Sequence, residues 1–203
     1  QPDVVAEPNL LESALRRLTN RLALAVAERS TLIVWAIDQS DSASQRRQLL
    51  TEQMPAMYAE LNAARPNGNS LLTGVVGFGD DVQFTTEEPV TDVADVLSAM
   101  SGIPQDESGK ERAFRAVSMI VDRWKRFRSK RNQHNVCVVI VTDERGDDFL
   151  IVEDVAKHCS RRGIVVFCLG NVAPFAAEHG YRSFTSPDGR TFLLTIDRGP
   201  ESV

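Results

Sequence analysis

Four apolar runs of six to eight residues, Thr31–Ile37, Leu71–Phe78, Val136–Val141 and Ile164–Leu169, recur along the chain with helical patterns between them. Short runs that are apolar throughout and rich in β-branched residues suit strands buried on both faces. The segments between them repeat apolar residues at three and four, the spacing of a helix with one apolar stripe. Leu11, Ala14, Leu15, Leu18 and Leu22 form one such stripe, in a leading helix over 11–29. A second helix starts near Ser42 and carries Leu49, Leu50, Met54, Met57, Tyr58 and Leu61; Pro55 should kink or split it. A short helix spans Thr91–Met100, and a longer one carries Ala113, Val117, Ile120, Trp124 and Phe127. The last runs from Asp147 to Arg162 and stops at Gly163. Val82–Thr85 follows the Gly79-Asp80-Asp81 turn as an antiparallel partner, and Phe192–Ile196 is a final strand. Strands alternating with helices mean a mainly parallel α/β sheet with helices on both faces and right-handed crossovers.

In such a sheet the ligand site lies at the carboxyl ends of the strands, near the switch in strand order. Polar residues gather at those ends. Asp38, Ser40 and Ser42 follow the first strand as D-x-S-x-S, and Asp143 follows the third in Val-Thr-Asp. Ser108 lies in the polar loop 101–110, just before a helix that must start at the same edge. Carboxylates and hydroxyls together suit a small hard cation such as Mg²⁺, which takes oxygen ligands at about 2.0–2.1 Å and gives up water reluctantly. Ser40 and Ser42 would bind directly, and Asp38, Asp143 and Ser108 directly or through water. With few carboxylates the cation keeps positive charge, which an aspartate or glutamate from a partner can neutralise. A simpler use of Asp38, Ser40 and Ser42 is to cap the following helix.

With 203 residues the chain is long enough for one domain with a substantial core. The formal charge of −5 argues against broad attraction to nucleic acid or anionic lipid. No apolar run reaches the ~18–20 residues of a membrane span, and no signal peptide is visible. A start at Gln1 suggests a piece of a longer polypeptide, and residues 1–10, acidic and containing two prolines, read as linker or disordered. Cys137, Cys159 and Cys168 lack metal-type spacing and read as small buried hydrophobes. Asp80-Asp81 reads as a turn, Asp147-Asp148 as the start of the last long helix, and Arg123–Arg131 as a solvated helix end. His134, His158 and His179 suggest no triad, and no phosphate-binding glycine loop occurs.

These motifs resemble those of the von Willebrand factor type A domain with a metal-ion-dependent adhesion site. The likeness extends from about Thr31 to Ile196, and Gly77-Phe78-Gly79-Asp80-Asp81-Val82 is similar to that family's G-F-S-x-x-V hairpin. It implies a three-layer Rossmann-like fold with a mainly parallel six-stranded sheet and one antiparallel edge strand. Core residues 31–196 would lie within a domain of 11–203. It also implies a metal set of Asp38, Ser40, Ser42, Ser108 and Asp143 holding Mg²⁺, or Mn²⁺ or Ca²⁺. A partner protein would supply the Glu or Asp that completes the shell, and Asp41, Glu107 and Glu144 would form the rim. The chain departs from the family at Asp41 and Glu144, where glycine is usual, and at Ser108, which replaces threonine. Asp143–Asp148, Ala173-Pro174-Phe175 and Gly199–Ser202 also resemble a bacterial branch found in large planctomycete proteins, which suggests the cell envelope.

The implied function is a non-enzymatic recognition module. A magnesium-dependent phosphoryl-transfer enzyme is a rival, weakened because Ser40 stands where a second acid would be needed. A metal-free scaffold of the same fold is another. Asp38→Ala is expected to abolish metal binding and spare the fold, on the reading that Asp38 sits at a loop rim.

Overall fold

The computed structural model describes residues 7–131, 133–144, 146–170, 181–185 and 191–195. Helix α1 (Glu7–Glu28) leads into strand β1 (Thr31–Asp38), then α2 (Ser44–Ala64), β2 (Leu71–Phe78) and β3 (Val82–Phe84). Next come α3 (Val93–Ser101), α4 (Ala113–Trp124), β4 (Asn135–Val141), α5 (Val152–Arg162) and β5 (Ile164–Leu169). The main sheet has the order β3-β2-β1-β4-β5. All its pairings are parallel except the antiparallel pairing of β3 with β2. Five strands of this sheet lie among the described residues. The expected final strand is present as β7 (Thr191–Thr195), paired antiparallel with β6 (Tyr181–Thr185) in a separate two-stranded sheet.

Alternation along β1 divides the core. Ile33, Trp35 and Ile37 pack beneath α1, α2 and α3, while Leu32, Val34 and Ala36 pack beneath α4 and α5. All eight β1 residues are buried, as expected for a central parallel strand. On the first face the indole N–H of Trp35 donates to Tyr58 Oη at 3.0 Å, and Tyr58 Oη meets Thr73 Oγ1 at 2.7 Å. These partners satisfy polar groups that would be costly to bury alone, and burial still pushes the phenol up to about 12.

Some expectations need correction. Helix α2 runs unbroken through Pro55, which sits on the exposed side, where water can serve a carbonyl freed by the missing N–H. Strand β5 is not buried on both faces: among the described residues it lies at the end of the sheet, with Val165 and Val166 exposed. Cys137 and Cys159 are buried as expected, but Cys168 is only partly buried. Residues 147–148 do not start α5, which begins at Val152 after a short 3₁₀ turn, Phe149–Ile151. The Asp148 carboxylate instead accepts from the N–H groups of Phe114 and Arg115, at 3.2 and 2.6 Å, and so caps α4. The acid complements a helix dipole, but of a different helix.

The basic run at the end of α4 makes structural contacts. The Arg123 guanidinium lies over Phe84 and bonds the Glu87 carbonyl, Arg126 pairs with Glu88, and Arg128 donates to the Arg162 and His134 carbonyls. No described helix is long and apolar enough to cross a membrane.

Candidate metal centre

The strand order reverses at β1, which has β2 on one side and β4 on the other. The crevice at a parallel-sheet switch point therefore opens at the ends of β1 and β4, where Asp38 and Asp143 stand. Asp38 is the last residue of β1 and fully buried, so it is not the rim residue expected from sequence. Its Oδ1 accepts from the Ser40 N–H at 2.8 Å, and its Oδ2 from the Thr142 hydroxyl at 2.8 Å. The hydroxyls of Ser40 and Ser42 meet at 3.0 Å. None of these side chains caps α2: its N-cap position is Ala43, with no side-chain cap bond. The simpler capping role is thus not the one they perform.

Two arginines of α2 secure both loops from below. Arg47 donates to the carbonyls of Asp38 and Ser40, each at 2.7 Å, and Arg46 to the Thr142 carbonyl at 2.8 Å. These bonds go to main chain.

Asp38, Glu111 and Asp143 converge. One carboxylate oxygen from each lies within 4.8 Å of the others. These residues come from three separated stretches of sequence. Asp38 and Glu111 are buried and Asp143 is partly buried. The ion pairs among the described residues involve none of the three. Asp143 Oδ1 is buried without a hydrogen-bond partner. Burial chiefly, then the nearby charges of Asp38, Glu144 and Asp143, push the Glu111 carboxyl up to about 8. Packing three acids together costs free energy unless a cation or proton lies among them. A bare buried oxygen amid hard oxygen donors fits a divalent cation.

Glu111 was not singled out by the sequence. An acid two residues before a helix reads as a dipole complement, and the spacing pointed to Ser108, three residues earlier. The structure fixes Glu111 through Asp147: the Glu111 N–H donates to Asp147 Oδ2 at 2.9 Å, and the Asp147 N–H to the Glu111 carbonyl at 2.7 Å. Ser108 is exposed. Its N–H donates to Asp106 Oδ1 at 2.7 Å, and its hydroxyl accepts from the Lys110 N–H at 3.2 Å. Asp106 also accepts the Asp80 N–H at 2.6 Å, which ties this loop to the β2–β3 turn. The same turn is held by Asp80, paired with Lys110 at 3.0 Å and Arg112 at 2.6 Å. Asp41, Glu107 and Glu144 are exposed, and Glu144 is close enough to act on Glu111 electrostatically.

The sequence matches the family model for the von Willebrand factor type A domain over residues 33–198. No curated protein matches it. Among solved structures, proximal thread matrix protein 1 from the mussel byssus, described with a zinc-occupied metal-ion-dependent adhesion site, aligns with a TM-score of 0.57 at 17% identity. That alignment covers 72% of this chain and 37% of the mussel chain, so this chain spans well under half of that protein. A manganese-loaded TRAP protein of Plasmodium vivax aligns at 0.50 and 14%, covering 70% of this chain and 57% of that one. An aerotolerance-related membrane protein of Bacteroides fragilis, carrying multiple mutations to serine, aligns at 0.53 and 14%, over 83% of both chains. At these identities the structures bear on the fold alone, while the family model covers most of the sequence. The chain belongs to the von Willebrand factor type A domain family.

Proposed function

We propose that this domain binds a divalent cation at the carboxyl ends of β1 and β4 and, through it, an acidic residue of a partner protein. The ligand set is Asp38, Ser40, Ser42, Ser108 and Asp143, with Glu111 as an additional carboxylate. Exposed Asp41, Glu107 and Glu144 form the rim against which the partner seats. The observation that carries the reading is the meeting of three carboxylates within 4.8 Å, none paired to a basic side chain among the described residues. The cation supplies the positive charge that attracts the partner's carboxylate; the chain's residues hold it and set the shape around it. Zinc and manganese in two solved relatives of the same fold favour a divalent ion.

Calorimetric titration with Mg²⁺, Mn²⁺ and Ca²⁺ tests this. Binding of at least one ion is expected in the native chain, weakened at least about tenfold in Asp38→Asn and Ser40→Ala, the scale seen when residues that support a metal are lost. Equal binding in all three proteins, or none in the native chain, refutes the reading.

A further inference from the structure

We propose that Glu111 is an internal competitor for the partner: its carboxylate occupies the place on the cation that a partner's acid would take, so that docking exchanges one carboxylate for another. This inference rests on the metal reading above and specifies how that site is regulated.

The three acids differ in how they are held. Both oxygens of Asp38 accept short hydrogen bonds, from the Ser40 N–H and the Thr142 hydroxyl, and the residue ends a fully buried strand. Asp143 extends from the end of the neighbouring strand β4, with one oxygen bare and buried. Glu111 has the opposite character. Its backbone is pinned at both polar groups by Asp147, while its carboxylate meets the Thr142 hydroxyl only at 3.5 Å, the outer limit of a hydrogen bond. Its other neighbours are acidic too: Asp38 shares a side-chain hydrogen bond with it, and Asp143 and the exposed Glu144 lie close enough to act on it. A long side chain on a fixed backbone has the reach to turn out while the backbone stays in place.

Charge points the same way. Three carboxylates around a divalent ion leave one net negative charge, which repels a fourth acid. With Glu111 turned away, two carboxylates neutralise the ion, and a partner's carboxylate restores the original balance. Exchange therefore conserves charge, whereas simple addition would place four acids on one ion. Asp38 ends β1, Asp143 follows β4 by two residues and Glu111 precedes α4 by two, and of the three Glu111 has the longest side chain and so the greatest reach for leaving.

The probes are Mn²⁺ alone and acetate as the simplest carboxylate. Free Mn²⁺ is measured by electron paramagnetic resonance, and coordinated water by water-proton relaxivity, for the wild type, Glu111→Gln, Glu111→Asp and Asp38→Asn. Glu111→Gln is expected to bind Mn²⁺ about tenfold more weakly, carry about one more coordinated water, and take up acetate about tenfold more tightly than the wild type, a coupling of ordinary size. Glu111→Asp keeps the charge on a side chain one methylene shorter and is expected to follow Glu111→Gln; it also serves if Glu111→Gln fails to fold. Relaxivity and acetate affinity unchanged in both variants overturn the inference, and Mn²⁺ binding that still depends on Asp38 then leaves the metal reading intact. A wild type that binds no Mn²⁺ overturns both.

Discussion

Gly79→Ala isolates the brace that holds the Glu111 loop. A Cβ at Gly79 would lie 1.9 Å from Asp106 Oδ2, 2.6 Å from its Cγ and 2.8 Å from its Cβ. Gly79 has no left-handed φ, so the cost is contact rather than backbone strain. The Asp106 side chain must turn away, releasing the N–H groups of Asp80 and Ser108 that it now accepts at 2.6 and 2.7 Å. Hydrogen bonds to a charged acceptor contribute about 1.5–3 kcal/mol each, and a half-exposed loop, where water replaces what is lost, belongs at the low end, for a total of about 2–3 kcal/mol. The Gly79 carbonyl also accepts from the Arg112 N–H at 3.1 Å, so the disturbance reaches the residue beside Glu111. Urea unfolding of the wild type, Gly79→Ala, Asp106→Ala and the double variant gives the coupling. Asp106→Ala removes the two closest contacts and the same two hydrogen bonds, so the second change should add little and the coupling should be about 2 kcal/mol. Mn²⁺ affinity should fall in both single variants. A Gly79→Ala protein within about 0.5 kcal/mol of the wild type, the spread of ordinary surface changes, refutes the reasoning, as would strict additivity.

Gly74→Ala tests the opposite core face. Its Cβ would lie 2.5–3.1 Å from three ring atoms of the buried Trp124, and overpacking should cost about 1–3 kcal/mol in urea unfolding, with less lost in a Trp124→Phe background. The pH dependence follows from Glu111, whose native carboxyl is pushed up to about 8, mainly by burial. Between the ordinary carboxylate range and about pH 8 the native metal-free protein holds a proton that the unfolded chain has released, so stability should fall as pH rises through that window. Urea midpoints at pH 5 and pH 8 check the sign, and Glu111→Gln should flatten the difference.

The layering of the fold was legible because β1, β2 and β4 are so uniformly apolar that only burial on both faces suits them. Position at strand ends points to Asp38 and Asp143 from the sequence alone. Three features were not legible, and all depend on contacts between distant parts of the chain. Glu111 belongs to the acidic cluster because Asp147, 36 residues away, holds its backbone from both sides. Asp148 caps α4 rather than α5, a choice invisible to local capping rules, which see only the neighbouring helix. The exposure of β5 goes with its place at the end of the sheet among the described residues, while its composition matches that of the central strands. Expected features at Ala173–Phe175 and Gly199–Ser202 lie outside the described residues.

The pinning of 147–148 explains how three remote acids can face one another at all. Like charges at this spacing repel by about 1–4 kcal/mol a pair, depending on the effective dielectric, so the site needs support that does not depend on the acids themselves. It comes from backbone contacts. Arg47 grips the carbonyls of Asp38 and Ser40, Arg46 grips the Thr142 carbonyl, and Asp147 and Asp148 fasten the segment after Asp143 to the segment that leads into α4. A proton on Glu111 meets part of the cost of this repulsion below about pH 8, and the rest is borne by a scaffold held by its own backbone hydrogen bonds. A cation entering the cluster relieves it and is bound more tightly for that reason, which is how a fold that spends stability on its own can recover it as affinity for the ion.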